Sequence, residues 1–163
     1  MNYDRFEELP VWNAAIELAE KIYALTAHRA FLRQRSLRDQ LERAAVSISN
    51  NIAEGFERGS TQELLTFLYI ARGSAGEVRS MLCLIERLPG FTDLKFQISN
   101  LKSQAEEISR QLRAWAEFLQ ESPIKGQRYL SDKTKKLEKA RREREDFLQE
   151  LKQVQKVSGE HSD

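Results

Sequence analysis

Cysteine, proline and glycine are all scarce in this chain, and each shortage excludes a class of structure. A single cysteine, Cys83, excludes a disulfide framework and any metal site built from several thiolates. Because Cys83 lies in an apolar stretch, we expect a buried, unreactive thiol. Only 3 prolines and 7 glycines occur in 163 residues, and none of the prolines lies between Val11 and Pro89. This composition is typical of long helices rather than of turn-rich β folds.

Histidine is also rare, and many catalytic and metal sites depend on it. The two histidines, His28 and His161, are too few for a Ser-His-acid set or for the paired Glu-x-x-His motifs of di-iron bundles. The glycines form neither a phosphate-binding loop nor a dinucleotide fingerprint. We therefore expect no enzymatic activity, no catalytic residue, no metal and no bound cofactor.

Long apolar runs are missing as well. No stretch approaches the ~18 uninterrupted apolar residues of a membrane span, and the first residues lack the apolar core of a signal peptide. We expect a cytoplasmic protein without membrane contact. The formal net charge of +1 by itself predicts no partner.

The chain does contain four long segments with helical periodicity. Proline, glycine and capping residues place these helices near residues 10–28, 36–58, 61–88 and 92–121. Apolar residues recur three and four positions apart in each of them, as the packing of antiparallel helices requires. The sequence therefore predicts an all-α fold, with an antiparallel up-down four-helix bundle over residues 1–121 and a charged C-terminal helical extension over residues 122–163.

Two adjacent stripes run along the second helix. Leu41, Ala45, Ile48 and Ile52 form an apolar stripe. The neighbouring stripe holds small and polar residues where a solvated face would carry lysine and glutamate. We interpret it as a buried polar network in which Asn51 bonds across helices and Glu54 lies near an arginine. The predicted network consists of Gln40, Arg43, Ser47, Asn51, Glu54 and Glu77.

The third helix has more apolar positions than a bundle helix needs. One stripe runs from Leu64 to Ile85, and a second lies beside it at heptad spacing. Two interpretations remain open: a helix deep in the bundle that touches two neighbours, or a second stripe that contacts another subunit. The candidate subunit interface consists of Phe67, Ile70, Ser74, Met81 and Leu84.

The segment that follows Pro123 and Gly126 differs in charge from the rest. From Lys125 onward it holds eleven basic and eight acidic residues. Such a run is a solvated helix, a nucleic-acid-binding arm or a coiled-coil contact with another chain. The candidate nucleic-acid-binding residues are Arg128, Lys133, Lys135, Lys136, Lys139, Arg141, Arg142 and Arg144 here, with Arg29, Arg33, Arg35 and Arg38 near the second helix.

Three groups of residues resemble one known family. Phe6, the run from Leu9 to Trp12 and Tyr23 resemble its opening, residues 40–55 its central motif, and residues 67–77 its third helix. The family comprises bacterial four-helix-bundle proteins encoded in intervening sequences of large-subunit ribosomal RNA genes. It is similar to the accessory variability proteins of diversity-generating retroelements. The segment beyond Ser122 lies outside the shared pattern.

The resemblance implies a homopentameric ring of bundles without enzymatic activity. In the retroelement branch it also implies a basic surface that binds nucleic acid and a partner reverse transcriptase. We therefore expect a homo-oligomer, a pentamer by this resemblance, that binds RNA or DNA as an accessory protein to a reverse transcriptase. The competing hypothesis is a purely structural, self-assembling bundle that presents its tail to a protein partner.

Overall fold

Four helices account for most of the part of the chain that the computed structural model describes, residues 3–121 and position 144. They are α1 (Pro10–Thr26), α2 (Arg35–Glu57), α3 (Thr61–Arg87) and α4 (Lys95–Glu121). Short 3-10 turns at Phe6–Glu8, Arg29–Phe31 and Thr92–Leu94 precede α1, α2 and α4. No strand occurs among the described residues, and the predicted all-α four-helix bundle is confirmed. The predicted C-terminal extension lies outside the described residues, apart from Arg144.

The helices alternate in direction around the core. α1 packs against α2 and α4, and α3 packs against the same two helices. This arrangement follows from short connections between consecutive antiparallel helices. One end of the bundle therefore holds both the α1–α2 and the α3–α4 connections, and we call it the first-loop end. The opposite end holds the α2–α3 turn and Glu121, where the described bundle stops.

The predicted apolar stripes form the core. The four stripe residues of α2 are fully buried, and so is the α3 stripe from Leu64 to Ile85. On α1 the core side chains include Leu18 and Leu25, whereas Tyr23 is exposed. Cys83 is exposed as well, so the prediction of a buried thiol is wrong.

The turn between α2 and α3 combines a glycine with a side-chain cap. Gly59 adopts a φ of 78°, which favours glycine after a helix end. The backbone N–H of Glu63 donates to Ser60 Oγ at 3.3 Å, and Ser60 Oγ donates to the Glu63 carboxylate at 2.6 Å. α3 therefore begins with a capping box formed by Ser60 and Glu63.

Gly55 lies near the C-terminal end of α2 but does not end the helix. α2 continues past it to Glu57. A Cβ atom added to Gly55 would lie 2.6 Å from the Cβ of Phe67 on α3. Because a Cβ cannot move away without its backbone, Gly55 is required for the close approach of the two helices.

We expect Gly55→Ala to destabilise the bundle relative to Gly76→Ala. Both glycines are helical, but nothing lies within 4 Å of a Cβ added at Gly76. Both variants gain the same ~1 kcal/mol of helix propensity. The difference between their free energies of unfolding therefore isolates the overpacking, which costs about 1–3 kcal/mol. Denaturant titration of both variants measures it, and equal stabilities would contradict the steric argument.

Candidate nucleic-acid interface

Two aromatic rings, one from each connection, pack against each other at the first-loop end. Phe31 and Phe91 are both buried, and their ring centroids lie 4.9 Å apart at an interplanar angle of 72°. His28 Nδ1 accepts a hydrogen bond from the backbone N–H of Ala30 at 3.3 Å, which closes the turn in front of Phe31. Phe31 points inward, and Arg29 and Arg33, two positions before and after it, are exposed.

The outer surface of this end is basic. Residues 26–38 and 87–95 contain six lysines and arginines but only one acid, Asp93. Arg38 is neutralised, since it lies 2.9 Å from Asp39 and 3.9 Å from Glu42. The other five are exposed and have no ion pair among the described residues. They form what we call the basic cluster: Arg29, Arg33, Arg35, Arg87 and Lys95.

Most cations elsewhere in the bundle are paired. Of the nine other lysines and arginines in residues 3–121, seven have a carboxylate oxygen within 4.0 Å. Arg58, for example, donates to Glu54 at 2.6 Å, and this hydrogen bond raises the pKa of its guanidinium. The two exceptions are Arg43 and Arg72. The basic cluster is therefore a local excess of positive charge in a nearly neutral chain, which favours binding of phosphate.

The basic cluster contains only part of the predicted set. Arg29, Arg33 and Arg35 belong to it, whereas the candidate Arg38 is outside it because Asp39 and Glu42 neutralise its charge. Arg144 is exposed, and the other tail candidates lie outside the described residues. The sequence argument missed two members, which flank the α3–α4 connection. The up-down topology would have identified them, since it brings both connections to one end: Arg87 and Lys95.

The predicted polar network is present only at its centre. Asn51 Nδ2 donates to the Ser47 carbonyl at 2.7 Å and to Ser47 Oγ at 3.0 Å. Ser47 Oγ lies 2.9 Å from Ser74 Oγ on α3, and Ser74 Oγ also donates to the Ile70 carbonyl at 3.2 Å. The cross-helix bond therefore joins the two serines, and the Asn51 amide bonds within its own helix.

The other four predicted members of the network are exposed, so the prediction of their burial is wrong. Only Ser47 and Asn51 of the polar stripe lie far enough toward α3 to be half-buried. Glu54 does lie beside an arginine, as predicted, but this arginine is Arg58. The exposed members are Gln40, Arg43, Glu54 and Glu77.

The second stripe of α3 divides between the core and the surface. Ser74 and Met81 are only 9% and 8% exposed, so the prediction that they are available to a second subunit is wrong. Phe67 is half-buried, with the Arg58 guanidinium 5.3 Å from its ring centroid. Ile70 and Leu84 are 46% and 50% exposed. We call these two residues, with Gly73 between them, the exposed face of α3.

No group of three or more histidine, cysteine, aspartate or glutamate side chains in the described part of the chain is arranged to hold a metal ion. Within the same residues, no helix is long and apolar enough to span a bilayer.

Comparison with known proteins identifies a family. Residues 7–114 match the family described as 23S rRNA-intervening sequence protein. No curated protein is similar enough to match. The fold is similar to a crystal structure from Bacteroides thetaiotaomicron, a protein of unknown function from the S23 ribosomal protein family. The TM-score is 0.58 at 24% identity, over 65% of this chain and 97% of the other.

We expect Ser47→Ala and Ser74→Ala to be coupled. Each substitution removes one partner of the bond between α2 and α3, at a cost of about 0.5–1.5 kcal/mol. The double variant should lose less than the sum of the single losses, by about 0.5 kcal/mol or more. Urea unfolding of the four proteins in this cycle measures the coupling. Strictly additive losses would mean that the two hydroxyls do not stabilise the helix pair together.

Proposed function

We propose, because the chain belongs to the 23S rRNA-intervening sequence protein family, that it is a non-enzymatic, self-assembling scaffold that binds nucleic acid. The observation that carries this proposal is the basic cluster, five unpaired cations at one end of a bundle whose other cations are mostly paired. Arginine matches phosphate with two parallel hydrogen bonds, and four of the five are arginines. Binding of this kind depends on the backbone and tolerates any base sequence.

Self-assembly is supported by the exposed face of α3. Ile70 and Leu84 are fourteen positions apart, which places them on the same side of the helix. A Cβ added to Gly73 would meet nothing within 4 Å, so no contact inside the chain requires glycine there. Glycine in a helix costs roughly 0.5–1 kcal/mol relative to alanine. Close approach of a second copy accounts for both the apolar side chains and the glycine.

A pentamer, which the family resemblance implies, would present five basic clusters. Repetition converts a weak patch into a strong site for a long polyanion, because later contacts become intramolecular. More specifically, we propose that this assembly is an accessory to a reverse transcriptase of a diversity-generating retroelement. A reverse transcriptase gene beside the coding sequence would support that form, and a surrounding ribosomal RNA gene would oppose it.

The competing function is a structural assembly whose partner is another protein. The exposed face of α3 favours it, since apolar side chains recognise protein surfaces more readily than phosphate. Binding to generic RNA distinguishes the two functions.

We expect the double variant Ile70→Lys, Leu84→Lys to dissociate the assembly. Lysine at these positions places like charges opposite one another and removes the apolar contact. Light scattering coupled to size exclusion measures the mass, with Phe118→Lys as the control because Phe118 is 70% exposed on α4. A wild-type protein at monomer mass at micromolar concentration, or a double variant of unchanged mass, would refute assembly through α3.

We expect the triple variant Arg29→Gln, Arg33→Gln, Arg35→Gln to bind single-stranded RNA at least tenfold more weakly, a loss of about 1.4 kcal/mol. The slope of log affinity against log salt should also fall by about 2, since each lost phosphate contact removes about 0.7. Fluorescence anisotropy across a salt series measures both quantities. The matched control is Arg110→Gln, Arg113→Gln, whose arginines are paired with Glu107 and Glu117.

A chain truncated after Ser122 separates the bundle from the tail. α4 has 27 residues, so Glu121 lies about 40 Å along the helix from the first-loop end. If the tail carries the binding, truncation should weaken it at least tenfold and leave the assembly intact. If truncation leaves the affinity unchanged while the triple variant loses it, the basic cluster alone is the site. Absence of RNA binding by the wild-type protein would favour the competing structural function.

A further inference from the structure

A groove opens between α1 and α4 next to the basic cluster. Its volume is about 260 Å³. This is below the roughly 300–1,000 Å³ of pockets that enclose drug-sized ligands. The groove is therefore suited to a single ring system. Its principal lining residues are Lys21, Leu25, Phe96, Gln97, Asn100 and Gln104.

One wall of the groove is the solvent-exposed aromatic ring of Phe96. Phe96 is 84% exposed, the largest exposed fraction among the large hydrophobic side chains of the described residues. Burying such a side chain stabilises a protein by about 1.5–3 kcal/mol, so its exposure is unfavourable in the isolated chain. Phe96 lies in the first turn of α4, directly after Lys95 of the basic cluster. A flat apolar ring is thus available at the edge of a positively charged surface.

The polar part of the lining, Lys21 on α1 and three amides on α4 that follow Phe96 along the helix, offers hydrogen-bonding groups that are not fully used. Lys21 Nζ donates to Gln104 Oε1 at 2.9 Å and lies 3.8 Å from Glu17. Gln104 Nε2 donates in turn to Asn100 Oδ1 at 3.1 Å. The Asn100 amino group and the whole Gln97 amide have no hydrogen-bond partner among the described residues. Amides place a donor and an acceptor side by side, as the edge of a nucleobase does.

We propose that this groove binds one unstacked base of a single-stranded nucleic acid. The base stacks on the Phe96 ring, Gln97 and Asn100 bond its edge, and the basic cluster holds the adjoining phosphates. This inference rests on the proposed function and adds to it a preference for single strands over duplex. In a duplex the bases stack on one another and cannot reach the ring. A second apolar helix is a poor occupant, because it would desolvate the amides without pairing them.

The test compares Phe96→Ala with Phe118→Ala in the full-length protein. Both phenylalanines are largely exposed on α4, at 84% and 70%, but Phe118 lies near the opposite end of the helix. Anisotropy is measured with a labelled oligouridylate and with a blunt RNA duplex of equal length. We expect Phe96→Ala to bind the oligouridylate about tenfold more weakly. Its duplex affinity and salt slope should be unchanged, and Phe118→Ala should behave as wild type.

Two further variants examine the roles of the ring and of the amides. Phe96→Tyr keeps an aromatic face and should retain the affinity of the wild-type protein. Asn100→Ala should also weaken binding of the oligouridylate and leave the duplex affinity unchanged, because it removes a group that bonds the base edge.

The outcomes separate this inference from the function on which it rests. If the wild-type protein binds RNA and Phe96→Ala binds the oligouridylate equally tightly, the groove is not a base site and the proposed function stands. If the wild-type protein binds neither RNA, both fail. If Phe96→Ala lowers the mass of the assembly in the absence of RNA, the groove is a contact between copies and the base site is overturned.

Discussion

The edge-to-face contact between Phe31 and Phe91 is the interaction on which the proposed interface depends. Each ring comes from a different connection, and both are buried. Burial of a phenylalanine contributes about 1.5–3 kcal/mol, enough to offset some repulsion between nearby cations. The inward side chain of Phe31 also directs Arg29 and Arg33 outward, because neighbouring positions cannot all face the core. The same contact thus closes the bundle and displays its positive charge.

Charge pairing decides which of the cations are available to a ligand. The chain has a net charge of only +1, and that sum conceals the excess at the first-loop end. Elsewhere in the bundle, acids on the same helix or on the neighbouring helix neutralise the bases, as Glu54 does for Arg58 and Glu86 does for Lys102. Of the described cations at the first-loop end, only Arg38 has a carboxylate oxygen within 4.0 Å, so the five cations of the basic cluster remain unpaired. A near-neutral composition is therefore compatible with a phosphate-binding surface.

The periodicity of the apolar residues predicted the helices and the core, because residues at the centre of an apolar stripe are buried whatever the exact packing of the helices. It could not place residues at the margin of a contact. Arg43 and Ser47 are four positions apart, a net rotation of only about 40° around a helix, yet Arg43 is exposed and Ser47 is half-buried. Met81, at the edge of the α3 stripe, is likewise buried in the core although the sequence pattern placed it at a subunit interface. Arg87 and Lys95 could be assigned to the basic cluster only once the topology was known. The role of Phe96 could be inferred only from the groove that α1 and α4 form together, because the sequence of α4 alone does not show it.

The two proposed surfaces are close enough to influence each other. Leu84 lies three residues before Arg87, about 5 Å along α3, so a contact through the exposed face of α3 would bring cations of neighbouring copies together. Their repulsion would oppose assembly at low salt, and a polyanion bound across them would remove it. Binding and assembly would then favour each other by the same coupling free energy, since linkage is reciprocal. Under the proposed function, the unpaired arginines would therefore make assembly of the scaffold depend on binding of the nucleic acid.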